Sequence, residues 1–289
     1  MSTAEGTPRR RASDPAAKKP SSPQNGTLIL IGGNEDKQSE KVLLHEIAAR
    51  TAGGKLIIAT TASEIPLENW KVYRDIFCEM GVTEVEHLHI TSRESTFVGK
   101  HLETLRNAKG IFFTGGDQAM VTSKIGGTPI FREVEKIYQS GGVVAGTSAG
   151  AAVMSAVMIT AGIGDEAHSH KDAFITMPGL GFLTDVMIDQ HFAQRKRLMR
   201  LLGAVAQNPR FLGIGIDEDT GIVVKNDRFH VAGSGSVYVL DAAEMTATNA
   251  DDTKNAPLSL YNMKLHVLNC KDQFCLLTRR PLNQQERRH

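Results

Sequence analysis

The chain has 289 residues, of which 41% are hydrophobic and 22% are charged, and its formal net charge at pH 7 is +1. This composition is typical of a globular protein, and the length is sufficient for one large α/β domain or two small domains. The near-neutral charge gives no electrostatic reason to expect nucleic acid or a membrane as a partner. No apolar run in the sequence approaches the ~18 residues that a bilayer-spanning helix needs.

The first 26 residues differ in composition from the rest of the chain. They are rich in Pro, Ser, Ala, Arg and Lys, with five basic residues against two acidic ones, and no apolar segment follows the basic residues. We predict that residues 1–26 form a disordered basic tail and that residues 27–289 form a single α/β domain. The three cysteines are odd in number and lack zinc-ligand spacing, so we expect reduced thiols in a cytoplasmic protein.

In the first half of the chain, short apolar runs alternate with segments that carry apolar residues at helical spacing. The predicted strands are Thr27–Ile31, Lys55–Thr60, Val85–Ile90, Gly110–Thr114 and Val143–Ala145. The predicted helices are Ser39–Ala52, Leu67–Met80, Lys100–Ala108 and Phe131–Gln139. This alternation predicts a doubly wound, mostly parallel sheet, with Val85–Ile90 near its edge because that run alternates between apolar and polar residues.

The second half follows a different pattern. Residues 163–176 have weak periodicity and hold His168 and His170, so we expect a loop or short strand over the site. A helix is predicted at Arg195–Ala206 and a strand at Phe211–Ile216. Two antiparallel hairpins are then predicted, over residues 222–232 and 263–277. We expect a mixed sheet with a largely antiparallel C-terminal portion, in one domain.

The segment Gly146–Gly150 (GTSAG) has the G-x-S-x-G pattern of a nucleophile elbow. A short apolar strand precedes it and an Ala/Val/Met segment of helical character follows, which is the context that an elbow requires. In such a turn the small flanking residues avoid a clash and Ser148 lies exposed at the tip. The pattern also occurs by chance, and its alternative interpretation is a small-residue turn between a strand and a packed helix.

A serine nucleophile needs a base within hydrogen-bond reach and an acid that orients the base. Among ten histidines, His191 is the best placed because it follows an apolar strand and Asp189-Gln190, with His168 and His170 as rivals. For the acid, Glu218 lies just beyond a predicted strand, and Asp217 and Asp219 compete with it.

Ligands of doubly wound sheets bind beyond the carboxyl ends of the strands. Gly32-Gly33, Gly115-Gly116 and Ser148 all fall at such ends, so we expect them to converge on one site. His87 and His89 share one face of a predicted strand, but no third ligand is evident, and we predict no metal site.

Four segments resemble motifs of the cyanophycinases, which belong to a serine peptidase family shared with the bacterial aspartyl dipeptidases. They are Phe113–Gln118 (FTGGDQ), Gly142–Gly150 (GVVAGTSAG), Asp189–Arg200 (DQHFAQRKRLMR) and Gly213–Thr220 (GIGIDEDT). The resemblance covers about Thr27 to Asp241. It implies a flavodoxin-like or class I glutamine amidotransferase-like catalytic domain with antiparallel C-terminal hairpins.

The resemblance implies a role for each matching residue. Ser148 is the expected nucleophile, His191 the base and Glu218 the acid, while the N–H groups of Gly116 and Ala149 form the oxyanion hole. The positions that match the family's substrate pocket are Gln118, Asp189, Gln190, Arg195, Arg197 and Arg200. No metal and no organic cofactor are implied.

The implied substrate is cyanophycin, a poly-aspartate with arginine joined to each β-carboxyl, so every unit presents a carboxylate and a guanidinium. Arg197 and Arg200 lie three residues apart on a predicted helix and share a face, where two guanidiniums can bind carboxylates. A solvated basic face is the alternative interpretation. The candidates for binding the substrate's guanidinium are Asp117, Asp165, Glu166 and Asp189.

The implied activity is that of a serine exopeptidase that releases β-Asp-Arg dipeptides through an acyl-enzyme, as a homodimer. The alternatives are an α-aspartyl dipeptidase of the same family and a non-catalytic protein that binds an anionic ligand. An intact nucleophile, base and acid argue against the binding protein, and the charged run Asp189–Arg200 is unexplained by the dipeptidase.

Overall fold

A computed structural model describes residues 26–160, 174–250 and 257–282. The predicted tail, apart from Gly26, lies outside the described residues, and so do Asp165, Glu166, His168 and His170. Within the described part of the chain, no helix is both long enough and apolar enough to cross a membrane.

The first half of the chain alternates strands and helices, as its apolar periodicity predicted. The strands are β1 (Thr27–Ile31), β2 (Lys55–Ala59), β3 (Glu84–Leu88), β4 (Ala108–Phe113) and β5 (Val143–Thr147). The helices are α1 (Val42–Thr51), α2 (Pro66–Glu79), α3 (Gly99–Leu105), α4 (Gln118–Ile125), α5 (Pro129–Gln139) and α6 (Ala149–Ala152), with a 3₁₀ turn at Glu94–Phe97. Helix α4 was not predicted from the sequence, because aspartate, which at Asp117 caps the first turn by accepting a hydrogen bond from Ala119 N, is also common in loops.

The second half is dominated by strands. They are β6 (Val157–Thr160), β7 (Ile175–Pro178), β8 (Val186–Gln190), β9 (Leu212–Ile216), β10 (Thr220–Lys225), β11 (Arg228–Gly233), β12 (Val237–Asp241), β13 (Ala247–Thr248), β14 (Leu260–Tyr261), β15 (Lys264–Leu268), β16 (Gln273–Cys275) and β17 (Arg280–Pro281). One helix of this half is α7 (Leu198–Gln207). It begins three residues later than predicted, because Lys196 has a positive φ of 52° that breaks the helical path.

The larger sheet has the order β17-β16-β11-β10-β1-β5-β4-β2-β3. Strands β1 to β5 run parallel, and β10, β11, β16 and β17 extend the sheet antiparallel from β1. The edge position predicted for β3 is found. The parallel strands follow the order 3-2-4-5-1, which differs from the 2-1-3-4-5 order of flavodoxin. Apolar periodicity identifies strands but does not encode which strands are neighbours.

Alternate residues of the parallel strands pack on opposite faces of the sheet. On one face, Ile29 and Ile31 pack with α1 and α2 through residues such as Leu44 and Phe77. On the other face, Leu28 and Leu30 belong to the core that α3, α4 and α5 cover. Helices therefore lie on both faces, as expected of a doubly wound sheet. Each fully buried Leu or Ile contributes about 1.5–3 kcal/mol to this packing.

The predicted mixed sheet with an antiparallel C-terminal portion is found in the larger sheet, but the strand predicted at Phe211–Ile216 does not belong to it. Strands β8 and β9 pair in parallel and belong to a separate sheet of order β15-β12-β9-β8. The hairpin predicted over residues 222–232 is present as β10 and β11. The second predicted hairpin, over residues 263–277, is not formed: β15 pairs with β12 in one sheet and β16 pairs with β11 in the other. The turn at Cys270-Lys271 therefore carries the chain from one sheet to the other.

Candidate active site

The turn after β5 has the backbone geometry of a nucleophile elbow. Ser148 has φ 53° and ψ −114°, a conformation that costs a non-glycine residue about 1–3 kcal/mol. A Cβ on Gly146 would lie 2.1 Å from the carbonyl oxygen of Gly150, and a Cβ on Gly150 would lie 2.2 Å from that of Phe113. The small residues at both positions are therefore a steric requirement of the turn. The helix behind it, α6, is only four residues long, so the helix dipole expected from the sequence is small.

Ser148, His191 and Glu218 form a continuous hydrogen-bonded relay. Ser148 Oγ lies 2.9 Å from His191 Nε2, and His191 Nδ1 lies 2.7 Å from Glu218 Oε1. The other carboxylate oxygen of Glu218 accepts a hydrogen bond from Asn34 Nδ2 at 3.0 Å. The structure thus brings together three residues from the ends of β5, β8 and β9.

The surroundings of the relay set its protonation. Burial lowers the pKa of His191 from its ordinary value of 6.5, and the hydrogen bond to Glu218, which acts in the opposite direction, does not offset this. The hydrogen bond from His191 lowers the pKa of Glu218 below its ordinary value of 4.5. Slight burial acts in the opposite direction, and the hydrogen bond from Asn34 lowers the pKa further. Near neutral pH the imidazole is therefore neutral and the carboxylate ionised, as a general base and its orienting acid require.

The three consecutive acids after β9 make different contacts. Asp217 is buried and accepts hydrogen bonds from the backbone N–H groups of Ala193, at 2.9 Å, and Ser236, at 3.1 Å. Asp219 accepts from the backbone N–H of Asp36 at 2.8 Å and from Ser234 Oγ at 2.7 Å. Of the three, Glu218 is the one that hydrogen-bonds His191.

A cavity of about 370 Å³ opens beside the Ser148 hydroxyl. It is lined by Gly116, Asp117, Gln118, Ser148, Ile159, Thr160, Gln190, Arg195, Arg197 and Arg200. Five of the six pocket residues expected from the resemblance are in this lining, and Asp189 is the one that is not. With three guanidiniums and one carboxylate in its wall, the cavity is suited to a ligand that carries negative charge.

The glycine loop after β4 lies against the elbow. A Cβ on Gly115 would lie 3.4 Å from Ser148 Cβ, and Gly116 has a positive φ of 136°. A Cβ on Gly116 would lie 2.0 Å from the carbonyl oxygen of Ala62, so a larger residue does not fit there. The loop can therefore approach the nucleophile closely with its backbone, while Ala149, the other predicted oxyanion donor, begins α6 directly after Ser148.

Comparison with known proteins assigns the chain to a family. The profile of peptidase family S51 matches residues 28–232. The chain belongs to peptidase family S51. It is 37% identical over 258 residues to a cyanophycinase of Synechococcus elongatus, covering 88% of this chain and 80% of that one. It is 38% identical to a cyanophycinase of Trichormus variabilis (87% and 86% covered) and 36% identical to one of Geminocystis herdmanii (89% and 96% covered).

Solved structures show a related fold. A crystal structure of a peptidase from an acI-B1 Actinobacterium superposes with a TM-score of 0.61 at 23% identity, covering 86% of this chain and 96% of that one. A putative peptidase E from Listeria monocytogenes superposes with a TM-score of 0.51 at 17% identity, covering 73% and 99% of the two chains. At these identities the similarity supports a shared α/β fold and nothing more.

Asp189 is not part of the cavity lining but contacts two arginines that are. Its side chain is 1% exposed and forms ion pairs with Arg197, at 3.2 Å, and with Arg200, whose Nε lies 3.0 Å from Oδ2. Arg197 also donates to the backbone and side-chain oxygens of Gln190, at 2.6 and 2.9 Å. Burial lowers the pKa of Arg197 to about 10, so the side chain stays charged at neutral pH. The suggestion that Asp189 binds a substrate guanidinium is therefore not supported, because the chain's own arginines occupy its carboxylate.

The β1 loop, which we define as Gly32–Asp36, contacts the relay through Gly33, as expected from the position of Gly32-Gly33 at the end of β1, and through Asn34, which was not predicted from the sequence. Asn34 contacts Glu218 directly, and Gly33, with φ 104°, lies against the imidazole: a Cβ there would be 2.3 Å from His191 Cε1. The doubled glycine after β1 was the available signal, since close approach of backbone to a functional side chain favours glycine.

His87 and His89, considered as a metal pair, instead share a hydrogen-bond partner. Thr60 Oγ1 lies 2.8 Å from His87 Nε2 and 3.2 Å from His89 Nδ1, and Trp70 stacks on His87 with ring centroids 5.0 Å apart. Among the residues that the structure describes, no three His, Cys, Asp or Glu side chains cluster as a metal site would require.

Proposed function

We propose that this family S51 member is a serine exopeptidase that hydrolyses cyanophycin to β-Asp-Arg dipeptides. The observation that carries the proposal is the relay of Ser148, His191 and Glu218 opening into a cavity with three arginines in its wall. Relatives named cyanophycinase, 36–38% identical over most of the chain, support the choice of substrate.

In the proposed mechanism, Ser148 Oγ attacks the backbone carbonyl of an aspartyl unit while His191 Nε2 takes its proton. The backbone N–H groups of Gly116 and Ala149 bind the oxyanion of the tetrahedral intermediate. His191 then delivers the proton to the leaving amine, and an acyl-enzyme ester on Ser148 remains. Water, deprotonated by His191, attacks the ester carbonyl, and the acyl group leaves as a carboxylate while His191 returns the proton to Ser148 Oγ. Throughout, Glu218 accepts the hydrogen bond of His191 Nδ1–H, which holds the imidazole in the tautomer that can accept a proton at Nε2.

The charges of the pocket support a substrate of this kind. Arg195, Arg197 and Arg200 offer guanidiniums to the substrate's carboxylates, and the buried Asp189 holds two of these arginines in position. Asp117 is exposed in the cavity wall and is our candidate for the partner of the substrate's guanidinium. Its Oδ1 accepts the N–H of Ala119, so Oδ1 also has a structural role as the cap of α4.

We further propose that the protein is a homodimer and that it is located in the cytoplasm. Its activity requires no metal and no organic cofactor. The homodimer rests on the family resemblance alone. The free thiols of Cys78, Cys270 and Cys275 support a reducing compartment. Because every step above is assigned to groups of this chain, we expect a chelator to leave activity intact.

The experiment that tests the function measures dipeptide release from insoluble cyanophycin by the wild type and by Ser148→Ala, with casein as the control polymer. We expect β-Asp-Arg from the wild type only and no cleavage of casein. Turnover of small aspartyl dipeptides without release from cyanophycin would replace the proposal with the α-aspartyl dipeptidase. No turnover of either substrate would support the anionic-ligand-binding protein.

A further inference from the structure

Glu35 is a buried carboxylate that lies outside the relay and has no part in the mechanism above. It is 3% exposed and lies in the β1 loop. Its Oε2 accepts a hydrogen bond from the Thr147 hydroxyl, and its Oε1 accepts one from the Tyr73 hydroxyl. Thr147 is the residue immediately before the proposed nucleophile and is 112 residues away from Glu35 in sequence.

The carboxylate of Glu35 is stabilised in its charged form. Burial opposes ionisation, but the charge of Lys37, whose Nζ lies 2.9 Å from Oε1, and the two hydroxyl hydrogen bonds together lower the pKa of Glu35 below 4.5. An ionised carboxylate only accepts hydrogen bonds, so both hydroxyls must donate to it. The side chain of Thr147 is thereby held in one orientation by a charge-assisted bond, which is about twice as strong as a neutral one.

The β1 loop and the last residue of β1 contact every segment that carries the relay. The contacts are Ile31 O with Ser148 N (2.9 Å), Gly32 O with His191 N (2.8 Å), Asn34 Nδ2 with Glu218 Oε2 (3.0 Å) and Asp36 N with Asp219 Oδ1 (2.8 Å). Glu35 is the member of this loop whose side chain bonds to the elbow strand. A shift of the loop relative to β5 would therefore change the positions of nucleophile, base and acid together.

We propose that Glu35 is a positioning residue, whose carboxylate ties the β1 loop to Thr147 and so sets Ser148, His191 and Glu218 in register with one another. The inference rests on the proposed roles of these three residues. A displacement of about 1 Å in a catalytic group lowers a rate by up to about 100-fold. Loss of this tie therefore lowers the reactivity of Ser148 more than it lowers substrate binding.

The test measures the rate at which a fluorophosphonate probe labels Ser148, which does not depend on the identity of the substrate. Glu35→Gln keeps the shape of the side chain and removes its charge, and Thr147→Val removes the hydroxyl from the other end of the bond. We expect both variants to be labelled about 10- to 100-fold more slowly than the wild type. Thr147→Ser, which keeps the hydroxyl, should be labelled at close to the wild-type rate.

A second readout separates positioning from binding. On cyanophycin, kcat should fall for Glu35→Gln by the same factor as the labelling rate, with KM little changed. The double variant Glu35→Gln with Thr147→Val should be no slower than the slower single variant, because both remove the same contact.

The matched control is Asp241→Asn, which removes another buried carboxylate, far from the site. Asp241 is 4% exposed and pairs with Arg279 at 2.9 Å at the end of β12 that is remote from the relay. Folded Asp241→Asn should be labelled at the wild-type rate. If its labelling rate falls as much as that of Glu35→Gln, the effect is a general one of destabilisation and the positioning role is overturned. If Glu35→Gln is labelled as fast as the wild type, the positioning role of Glu35 is overturned and the proposed mechanism is unaffected. If the wild type is not labelled at Ser148, both the positioning role and the proposed mechanism are overturned. If Glu35→Gln does not fold, the labelling rates of Thr147→Val and Thr147→Ser decide: slower labelling of Thr147→Val supports the positioning role, and equal rates overturn it.

Discussion

Replacement of Asp189 by Asn tests whether this residue supports the pocket or binds substrate. The carboxylate is 1% exposed and forms ion pairs with both Arg197 and Arg200, whose side chains are 12% and 17% exposed. Asparagine has the same shape and keeps one oxygen acceptor, but it leaves two nearly buried guanidiniums without their counter-charge. The substitution therefore acts on the protein's own ion pairs before any substrate is present.

The expected loss of stability follows from the burial of this cluster. Removal of one partner from a buried ion pair destabilises a protein by about 3–5 kcal/mol. Because the amide oxygen still accepts one hydrogen bond, we expect the lower end of that range, about 3 kcal/mol. For a domain of this size, each kcal/mol shifts Tm by about 2–4 °C, so Tm should fall by about 6–12 °C.

The assay combines thermal unfolding with kinetics on cyanophycin. Glu133→Gln is the matched control, because Glu133 pairs with Lys136 at 2.7 Å on the surface, where the side chains are 30% and 65% exposed. Such a pair contributes about 0.5 kcal/mol, so the control should shift Tm by no more than about 2 °C. In Asp189→Asn the arginines lose their fixed positions, and KM should also rise by about 10-fold, the equivalent of one charge-assisted hydrogen bond.

Two outcomes would refute this reasoning. If Asp189→Asn unfolds at the same temperature as Glu133→Gln, the buried ion pairs do not stabilise the fold as argued. If KM rises while Tm is unchanged, Asp189 contacts the substrate's guanidinium, as the sequence had suggested.

Two further predictions concern the pH profile and the cavity wall. Because burial lowers the pKa of His191 below 6.5 and only the neutral imidazole accepts a proton, kcat/KM should be constant near pH 7 and fall as the pH drops through a midpoint below 6.5; a midpoint above 6.5 would contradict the assigned environment. Asp117→Asn should raise KM for cyanophycin by about 10-fold without a change in Tm, since asparagine caps a helix as well as aspartate does. An unchanged KM would assign the substrate's guanidinium to a different acid.

Much of the fold could be predicted because it depends on residues that are close in sequence. The five parallel strands and most of the helices between them were found within a few residues of their bounds, since apolar periodicity reflects which face of each element is buried. The helix α4 was missed because a helix cap and a loop use the same residue, Asp117. Strand order was not accessible, and the runs that became β15 and β16 have the same local pattern as a hairpin although they pair in different sheets.

The site was predictable to the extent that its residues lie in motifs. The elbow followed from steric limits within five residues, and the structure brings Ser148, His191 and Glu218 within hydrogen-bond distance of one another. The catalytic roles themselves remain predictions. The expected function of Asp189 differed from the observed contacts, because its ion pairs with Arg197 and Arg200 depend on how β8 and α7 pack.

The alternation of strands and helices, the small residues around Ser148 and the membership of family S51 follow from the amino-acid sequence alone, because these depend on local sterics and on the order of motifs. Three features became evident from the folded chain: which of three adjacent acids contacts His191, which residues line the cavity, and that Glu35 bonds to Thr147. These contacts join residues from 8 to 112 positions apart. Their geometry is set by the packing of sheets and helices around a shared core, which no local pattern of residues encodes.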